Sequence, residues 1–158
     1  MAGIVVGIDG SPAADAALAY ALEEAKLRSL PLRIVCAWEV PALEYAGAPF
    51  AATPELTTEA ERAAGVKLAE ATRKLGADHG VVVETLAVHG HPATVLLEQA
   101  QDASLVVLGT RGRNMLAAFV LGSVSHAVAH HCPTPLTIVP VPHDESDDAD
   151  DPGDPENS

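Results

Sequence analysis

Glycine and serine residues in the second half of the chain have the spacing of a phosphate-binding loop. An apolar run at 105–108 ends at Gly109, Gly112 follows after two residues, and Gly122-Ser123 follow after nine more. The run predicts a buried strand, and Ser123 stands where the next helix would begin. Glycine-rich turns between a strand and a helix N-terminus expose backbone N–H groups to an anion, which the helix dipole also favours. The stretch therefore predicts a phosphate cradle.

This spacing differs from the two common nucleotide-binding motifs. A Walker loop needs Gly-Lys followed by Ser or Thr, and that tripeptide does not occur in the chain. The dinucleotide fingerprint Gly-x-Gly-x-x-Gly does not occur either. The loop therefore predicts phosphate binding through backbone N–H groups and the Ser123 hydroxyl rather than through a lysine.

The elements around this loop alternate between strand and helix. The first helix is predicted to begin with Ser11 as its N-cap and Pro12 at its first position. The proline-rich segment 39–53 predicts an irregular loop. Apolar, mostly β-branched runs predict five strands, at 4–9, 32–38, 81–88, 105–108 and 136–141.

The second helix is predicted from about residue 55 to residue 79, with Gly80 after its end. Periodicity places Lys67 on its solvated side. Its predicted inner face consists of Val66, Leu68, Ala69, Thr72 and Leu75.

Alternation of this kind predicts an α/β fold with a single open five-stranded parallel sheet and helices on both faces. The strand order that we expect for this sheet is 3-2-1-4-5. Such a Rossmann-like sheet binds ligands beyond the carboxyl ends of its strands, where the strand order reverses. Asp9 follows the first strand and Gly109 ends the fourth, so this order makes them neighbours. We therefore expect one ligand crevice between them.

The net charge of −13 is concentrated at the end of the chain. Residues 143–158 hold eight acidic residues and no Lys or Arg, which leaves the preceding residues at −5. A segment so charged and so poor in apolar residues is predicted to be disordered. We expect one folded domain over 1–142 and an acidic tail over 143–158. Nucleic-acid binding is disfavoured because the chain has no basic stripe.

Cysteine usage and hydropathy predict a cytoplasmic protein. Cys36 and Cys132 lie far apart and form no C-x-x-C motif, which suits a reducing compartment. No secretory signal is evident after Met1, and no apolar stretch is long enough to cross a membrane.

The chain resembles the universal stress protein family, in its ATP-binding branch. The family's glycine signature is matched at Gly109, Gly112, Gly122 and Ser123. The resemblance extends from Gly3 to about Val141. It includes the segments Val-Val-Gly-Ile-Asp-Gly-Ser at 5–11, Gly-His-Pro-Ala at 90–93 and Cys-Pro-Thr-Pro-Leu-Thr-Ile-Val-Pro at 132–140.

The resemblance implies that ATP is the ligand, and that Mg²⁺ or Mn²⁺ can accompany its phosphates. Asp9 matches a residue that contacts adenosine, with Gly7 and Ile8 beside it, and Ala37 matches the residue whose backbone meets the adenine ring. The positions that match residues around the ribose and phosphates are Leu108, Gly109, Arg111, Gly112, Gly122, Ser123, Val124 and Ser125.

Plainer interpretations stand beside these assignments. Asp9 is also suited to capping the first helix, and Gly109 and Gly112 to simple turns. His126 and His130 are four residues apart, but no carboxylate stands at the usual metal-site spacing, so the sequence favours surface histidines and no metal site. No serine has an evident base partner, so we assign no catalytic residue and expect at most weak ATP hydrolysis.

The family resemblance implies a nucleotide-dependent sensor or switch in the stress response, acting on an unidentified protein partner. It also implies a homodimer through the last strand, which begins at Leu136 and ends at Val141, because an apolar edge strand invites pairing. The alternatives are a nucleotide-free dimeric scaffold of the same fold and a slow ATP hydrolase.

Overall fold

The computed structural model describes residues 3–40, 43–45, 48–50, 52–110 and 121–141. Four helices lie in these ranges: α1 (Pro12–Arg28), α2 (Pro54–Leu75), α3 (Pro92–Ala100) and α4 (Ser123–His131). The strands are β1 (Gly3–Gly7), β2 (Leu32–Trp38), β3 (Leu43–Tyr45), β4 (Ala48–Phe50), β5 (Val83–His89), β6 (Ala103–Gly109) and β7 (Leu136–Val139).

Five of the strands form one parallel sheet in the order β5-β2-β1-β6-β7. This is the order 3-2-1-4-5 among the main strands, and it confirms the predicted Rossmann-like architecture. The order reverses between β1 and β6, which are adjacent. We call the edge where the carboxyl ends of these strands meet the carboxyl edge.

Alternating side chains of the central strands supply two apolar layers. On one face Ile4, Val6 and Ile34 pack with α1 and α2. On the other face Val5, Val35 and Val106 pack with α3 and α4. These strand residues are at most 2% exposed, so the middle of the sheet is apolar on both faces, as parallel sheets require.

The start of α1 follows its sequence signals. The Ser11 hydroxyl accepts a hydrogen bond from the Ala14 N–H at 3.2 Å, and Pro12 occupies the first helical position. Proline has no N–H to satisfy there and its fixed φ suits the helix. The predicted cap is therefore confirmed, and α1 begins directly beyond the carboxyl end of β1.

Two elements differ from the sequence predictions. The segment 39–53, expected to be irregular, contains the antiparallel pair β3 and β4, because a local hairpin forms from three-residue strands too short to show a periodicity. Helix α2 ends at Leu75 rather than near residue 79. Gly76 caps it with φ +77°, a conformation that glycine adopts without strain.

The inner face of α2 is also different from the predicted one. Ala64, Leu68 and Ala71 are its buried residues, whereas Val66 is 60% exposed. Ala69 and Thr72, which were predicted to face inward, are exposed as well. Small alanines let the helix pack closely against the sheet. The buried face of α2 is therefore marked by alanine rather than by the more hydrophobic Val66, which the sequence pattern had favoured.

The ends of three strands differ by two residues from the predicted ends. β1 ends at Gly7 rather than at residue 9, β5 begins at Val83, and β7 ends at Val139 rather than at residue 141. β5 and β7 are the sheet edges, and all four residues of β7 are partly exposed. Within the described residues, no helix is both long and apolar enough to cross a bilayer.

Candidate functional site at the carboxyl edge

Most of the predicted ligand residues lie at the carboxyl edge, around the junction of β1 and β6. Asp9 lies two residues beyond β1, Ala37 is the penultimate residue of β2, and Gly109 is the last residue of β6. Gly122 is the N-cap of α4, and Ser123, Val124 and Ser125 form its first turn. Arg111 and Gly112 lie outside the described residues and stay predictions.

The N-terminus of α4 offers backbone donors to an anion. Gly122 caps the helix without a side-chain hydrogen bond, and the first intrahelical bond runs from the His126 N–H to the Gly122 carbonyl at 2.9 Å. The N–H groups of the first turn have no intrahelical acceptor. Among the described residues, none accepts a hydrogen bond from the N–H groups of 123–125, which leaves three donors at the positive end of the helix dipole.

The Gly122 N–H is not one of these donors. It donates to the Thr110 carbonyl at 2.8 Å, and the Thr110 N–H donates in turn to the Val139 carbonyl at 3.1 Å. The start of α4 is therefore anchored to the ends of β6 and β7. This hydrogen bonding was not apparent from the sequence, which indicated only that a glycine precedes the helix.

The Ser125 hydroxyl forms a hydrogen bond within the protein at this junction. It donates to the Gly109 carbonyl at 2.7 Å, and Ser125 is only 5% exposed. The bond holds the first turn of α4 over the end of β6. The Ser125 side chain is thus used inside the protein, and its backbone N–H is the group that faces the helix N-terminus.

Removing this hydroxyl with Ser125→Ala is expected to lower the free energy of unfolding by about 1–3 kcal/mol, because a buried carbonyl loses its partner. Urea denaturation followed by circular dichroism measures the change. Ser123→Ala is the matched control, since Ser123 is exposed on the same turn and should change stability by less than about 0.5 kcal/mol. Equal stability of Ser125→Ala and wild type would contradict the structural role of the bond.

Gly109 has a packing role that the sequence did not reveal. A Cβ on this residue would lie 2.6 Å from the backbone C and O atoms of Ala13 and 2.8 Å from its Cβ. The space that the glycine leaves open is therefore occupied by the first turn of α1. On this side of the residue a helix approaches the glycine, and the approach of a ligand to the Gly109 backbone stays a prediction.

Gly7 and Leu108 contribute to the interior in a similar way. A Cβ on Gly7 would meet the side chains of Leu108 and Leu96 at 2.7–3.0 Å, and Leu108 is 4% exposed. Ile8 is partly buried against the α1 and α2 layer.

Asp9 shapes the turn that leads into α1. Its Oδ1 accepts a hydrogen bond from the Ser11 N–H at 2.9 Å, and Gly10 between them has φ +82°. The carboxylate is partly buried. Asp9 therefore stabilises the turn before the helix, whereas the N-cap of α1 is Ser11. Its carboxylate also lies at the switch point of the sheet.

Ala37 presents an unpaired backbone donor and acceptor at the edge. The Val35 carbonyl accepts from the Ile8 N–H, and the Trp38 carbonyl accepts from the Gly90 N–H on the opposite side. Backbone groups alternate in direction along a strand, so the N–H and carbonyl of Ala37 face the β1 side. β1 has already ended there, and no described backbone group pairs with either of them. The Cys36 Sγ makes only a weak contact to the Ala37 carbonyl, at 3.9 Å.

Lys67 is a residue of this region that sequence reasoning missed. It is partly buried rather than solvated, and its Cγ, Cδ and Cε lie 3.6–3.7 Å from the Cβ position of Gly10. Burial raises the pKa of the Cys36 thiol, the Lys67 ammonium opposes that shift, and Asp9 adds to it. No sequence signal separates Lys67 from the other charged residues of α2.

Aromatic rings lie at the carboxyl ends of the two neighbouring strands. Trp38 ends β2 and His89 ends β5, and their ring centroids are 4.6 Å apart with planes tilted by 51°. The Trp38 Nε1 is buried, and no atom of the described residues forms a hydrogen bond with it. This pair lies beside the Ala37 backbone, at the end of β2.

The sequence matches one family model and many relatives. The model described as "Universal stress protein family" matches residues 2–140. Universal stress protein Rv2005c of Mycobacterium tuberculosis is 37% identical over 136 residues, which is 85% of this chain and 44% of that relative. The chain thus spans about half the length of the curated relatives it matches.

Solved structures share the fold. A universal stress protein in complex with cAMP is 27% identical, with a TM-score of 0.63 over 89% of this chain and 98% of that one. The universal stress protein from Archaeoglobus fulgidus in complex with dAMP is 22% identical, with a TM-score of 0.58 over 88% and 98% of the two chains. The second likeness supports the fold alone.

Proposed function

The chain belongs to the universal stress protein family, and on that premise we propose that it binds ATP at the carboxyl edge and acts as a nucleotide-dependent sensor in the stress response. The observation that carries the proposal is a set of backbone groups at the β1–β6 switch point that have no hydrogen-bond partner among the described residues. They lie at Ala37 on one side and at the first turn of α4 on the other.

Ala37 supports the choice of adenine as the base. Its N–H donor and carbonyl acceptor face the same side of β2, and adenine offers a ring nitrogen acceptor beside an amino donor. Guanine presents a ring N–H beside a carbonyl, which reverses both roles and leaves the groups of Ala37 unpaired. The cAMP bound to the solved relative that is 27% identical contains adenine, in line with this preference.

The first turn of α4 supports phosphate binding. Three N–H donors at a helix N-terminus form a general anion site, and Ser123 adds an exposed hydroxyl. Asp9, across the switch point, is suited to accepting hydrogen bonds from ribose hydroxyls. The carboxylate then lies by the sugar, away from the negative phosphates.

A divalent cation fits the phosphates rather than a protein cage. Among the described residues, no group of three or more His, Cys, Asp or Glu side chains is arranged to hold a metal ion. Mg²⁺ or Mn²⁺ would therefore be held by phosphate oxygens and water, an arrangement common for Mg²⁺. When bound, the ion offsets phosphate charge, while the chain's own residues bind and orient the nucleotide.

The proposal is tested by mass spectrometry of nucleotide released from the purified protein and by calorimetric titration with ATP and GTP. We expect ATP to bind and GTP to bind at least about a hundredfold more weakly, because guanine leaves backbone groups unpaired. Equal affinity for the two would contradict the role of Ala37. Binding of neither would support the alternative, a nucleotide-free scaffold of the same fold.

We also propose a homodimer through β7. The Pro135 carbonyl accepts from Val106 of β6 and the Val139 carbonyl accepts from Thr110, just beyond β6. Strand alternation therefore directs the backbone groups of Leu136 and Ile138 away from the sheet. These outward groups on a partly exposed apolar strand are suited to pairing with a second copy.

Sedimentation velocity at micromolar concentration is expected to give a dimer for wild type and a monomer for Ile138→Pro. Proline removes the outward N–H but leaves the bonds to β6 in place, which is why edge strands tolerate it. Ile138→Val keeps that N–H and should remain dimeric. A monomeric wild-type protein, or a dimeric Ile138→Pro variant that circular dichroism shows to be folded, would refute pairing through β7.

A further inference from the structure

Two histidines on α4 form a close pair that the nucleotide proposal does not use. His126 and His130 are both exposed, and residues four apart lie on the same face of a helix. Their ring centroids are 4.6 Å apart and their planes are tilted by 56°. The sequence favoured ordinary surface histidines, and the distance between the rings is the new information.

The separation matches two imidazoles bound to one metal ion. A metal bound to an imidazole nitrogen at about 2.0–2.1 Å lies about 3.2 Å from the ring centroid. Two rings that share a metal at about 90° then have centroids about 4.5 Å apart, and at the tetrahedral angle about 5.2 Å. The observed 4.6 Å corresponds to an angle near 90°.

An angle near 90° is that of neighbouring ligands in square-planar and octahedral sites, which Cu²⁺ and Ni²⁺ prefer. We propose that His126 and His130 form a two-imidazole chelate for a divalent transition-metal ion of this class. The helix backbone fixes the spacing of the two Cβ atoms before the metal arrives, so only side-chain torsions need to be ordered on binding.

The described residues leave the remaining coordination positions to water. Within the part of the chain that the structure describes, no third His, Cys, Asp or Glu joins the pair in an arrangement that could hold a metal. His131 is adjacent in sequence, but its ring centroid is 6.3 Å from that of His130. Adjacent residues of a helix do not face each other, so His131 is outside the chelate.

Calorimetric titration of the full, untagged chain with NiCl₂ at pH 8 tests the proposal. Neutral imidazoles bind metals, and a polyhistidine tag would mask the site. We expect wild type to bind one Ni²⁺, and both His126→Ala and His130→Ala to weaken that binding by at least about tenfold. His131→Ala is the matched control and should stay within about twofold of wild type.

The variants should fold normally, since alanine is a better helix former than histidine at exposed positions. The acidic tail is the same in all of them, so the differences isolate the histidines. Ni²⁺-induced broadening of amide signals in NMR spectra, centred on α4, gives a second measurement. Unchanged affinity in both His126→Ala and His130→Ala, or an equal loss in His131→Ala, would overturn the proposal.

Discussion

Replacing Gly109 with alanine is expected to lower the free energy of unfolding by about 3 kcal/mol and the melting temperature by about 6–12 °C. The added Cβ would lie 2.6 Å from the Ala13 backbone, so α1 or β6 must move. Backbone cannot yield as a flexible side chain can, because the Ser11 cap and the sheet hold both partners. Differential scanning calorimetry measures the change.

Gly65→Ala is the matched control for this substitution. Gly65 lies inside α2, and no atom lies within 4 Å of the Cβ that would be added. The same methyl group should therefore raise stability there by about 0.5–1 kcal/mol. The two glycines should change the melting temperature in opposite directions.

The outcome distinguishes two roles for Gly109. If Gly109→Ala melts like wild type and loses only nucleotide affinity, the glycine exists to admit a ligand, and the packing explanation is wrong. If it is destabilised as expected, the glycine signature at this position partly reflects how tightly α1 packs on β6. Binding measured on a destabilised variant would then say little about the ligand.

The alternation of strands and helices was predictable because it follows from local patterns. Apolar runs separated by helical periodicity imply crossovers, and crossover handedness limits the possible sheet orders. The start of α4 was predictable for a similar reason, since Gly122 and Ser123 carry the signal within two residues. Both predictions depended on neighbours in sequence, and the structure confirmed them.

The features that sequence reasoning missed depend on distant residues. Gly109 owes its packing role to Ala13, nearly a hundred positions earlier, and Lys67 lies near Gly10 only because α2 packs beside α1. The buried face of α2 was misjudged because a close helix–sheet approach selects Ala64 and Ala71 over the more apolar Val66. The hydrophobicity of a segment does not predict how closely a helix packs against the sheet.

The candidate site was predictable in part: its positions could be identified from the sequence, but the roles of their atoms could not. The sequence identified the positions around the switch point, but it could not say which atoms are already used. The Ser125 hydroxyl and the Gly122 N–H are engaged inside the protein. The N–H groups of 123–125 and the backbone of Ala37 have no partner among the described residues. Variants that test phosphate binding should therefore remove backbone N–H groups from the first turn of α4.

Ser123→Pro is expected to weaken ATP binding by about 10–100-fold while leaving adenosine binding unchanged. Proline removes one N–H donor, and a hydrogen bond to a charged group contributes about 1.5–3 kcal/mol. The fold should tolerate the change, because Ser123 is the first residue of α4 and proline is favoured there. Gly122 before it has φ −61° and ψ 160°, the extended conformation that a following proline requires.

Calorimetric titration with ATP and with adenosine separates the phosphate end from the base end, and Ser123→Ala separates the hydroxyl from the N–H. We expect Ser123→Ala to lose only a few-fold in ATP affinity, since it keeps all three backbone donors. If Ser123→Ala lost as much as Ser123→Pro, the hydroxyl would be the main contact. If Ser123→Pro bound ATP as wild type does, the phosphates would lie away from the N-terminus of α4. A loss of adenosine binding as well would show that the substitution disturbs the whole edge, because adenosine carries no phosphate for the removed donor to contact.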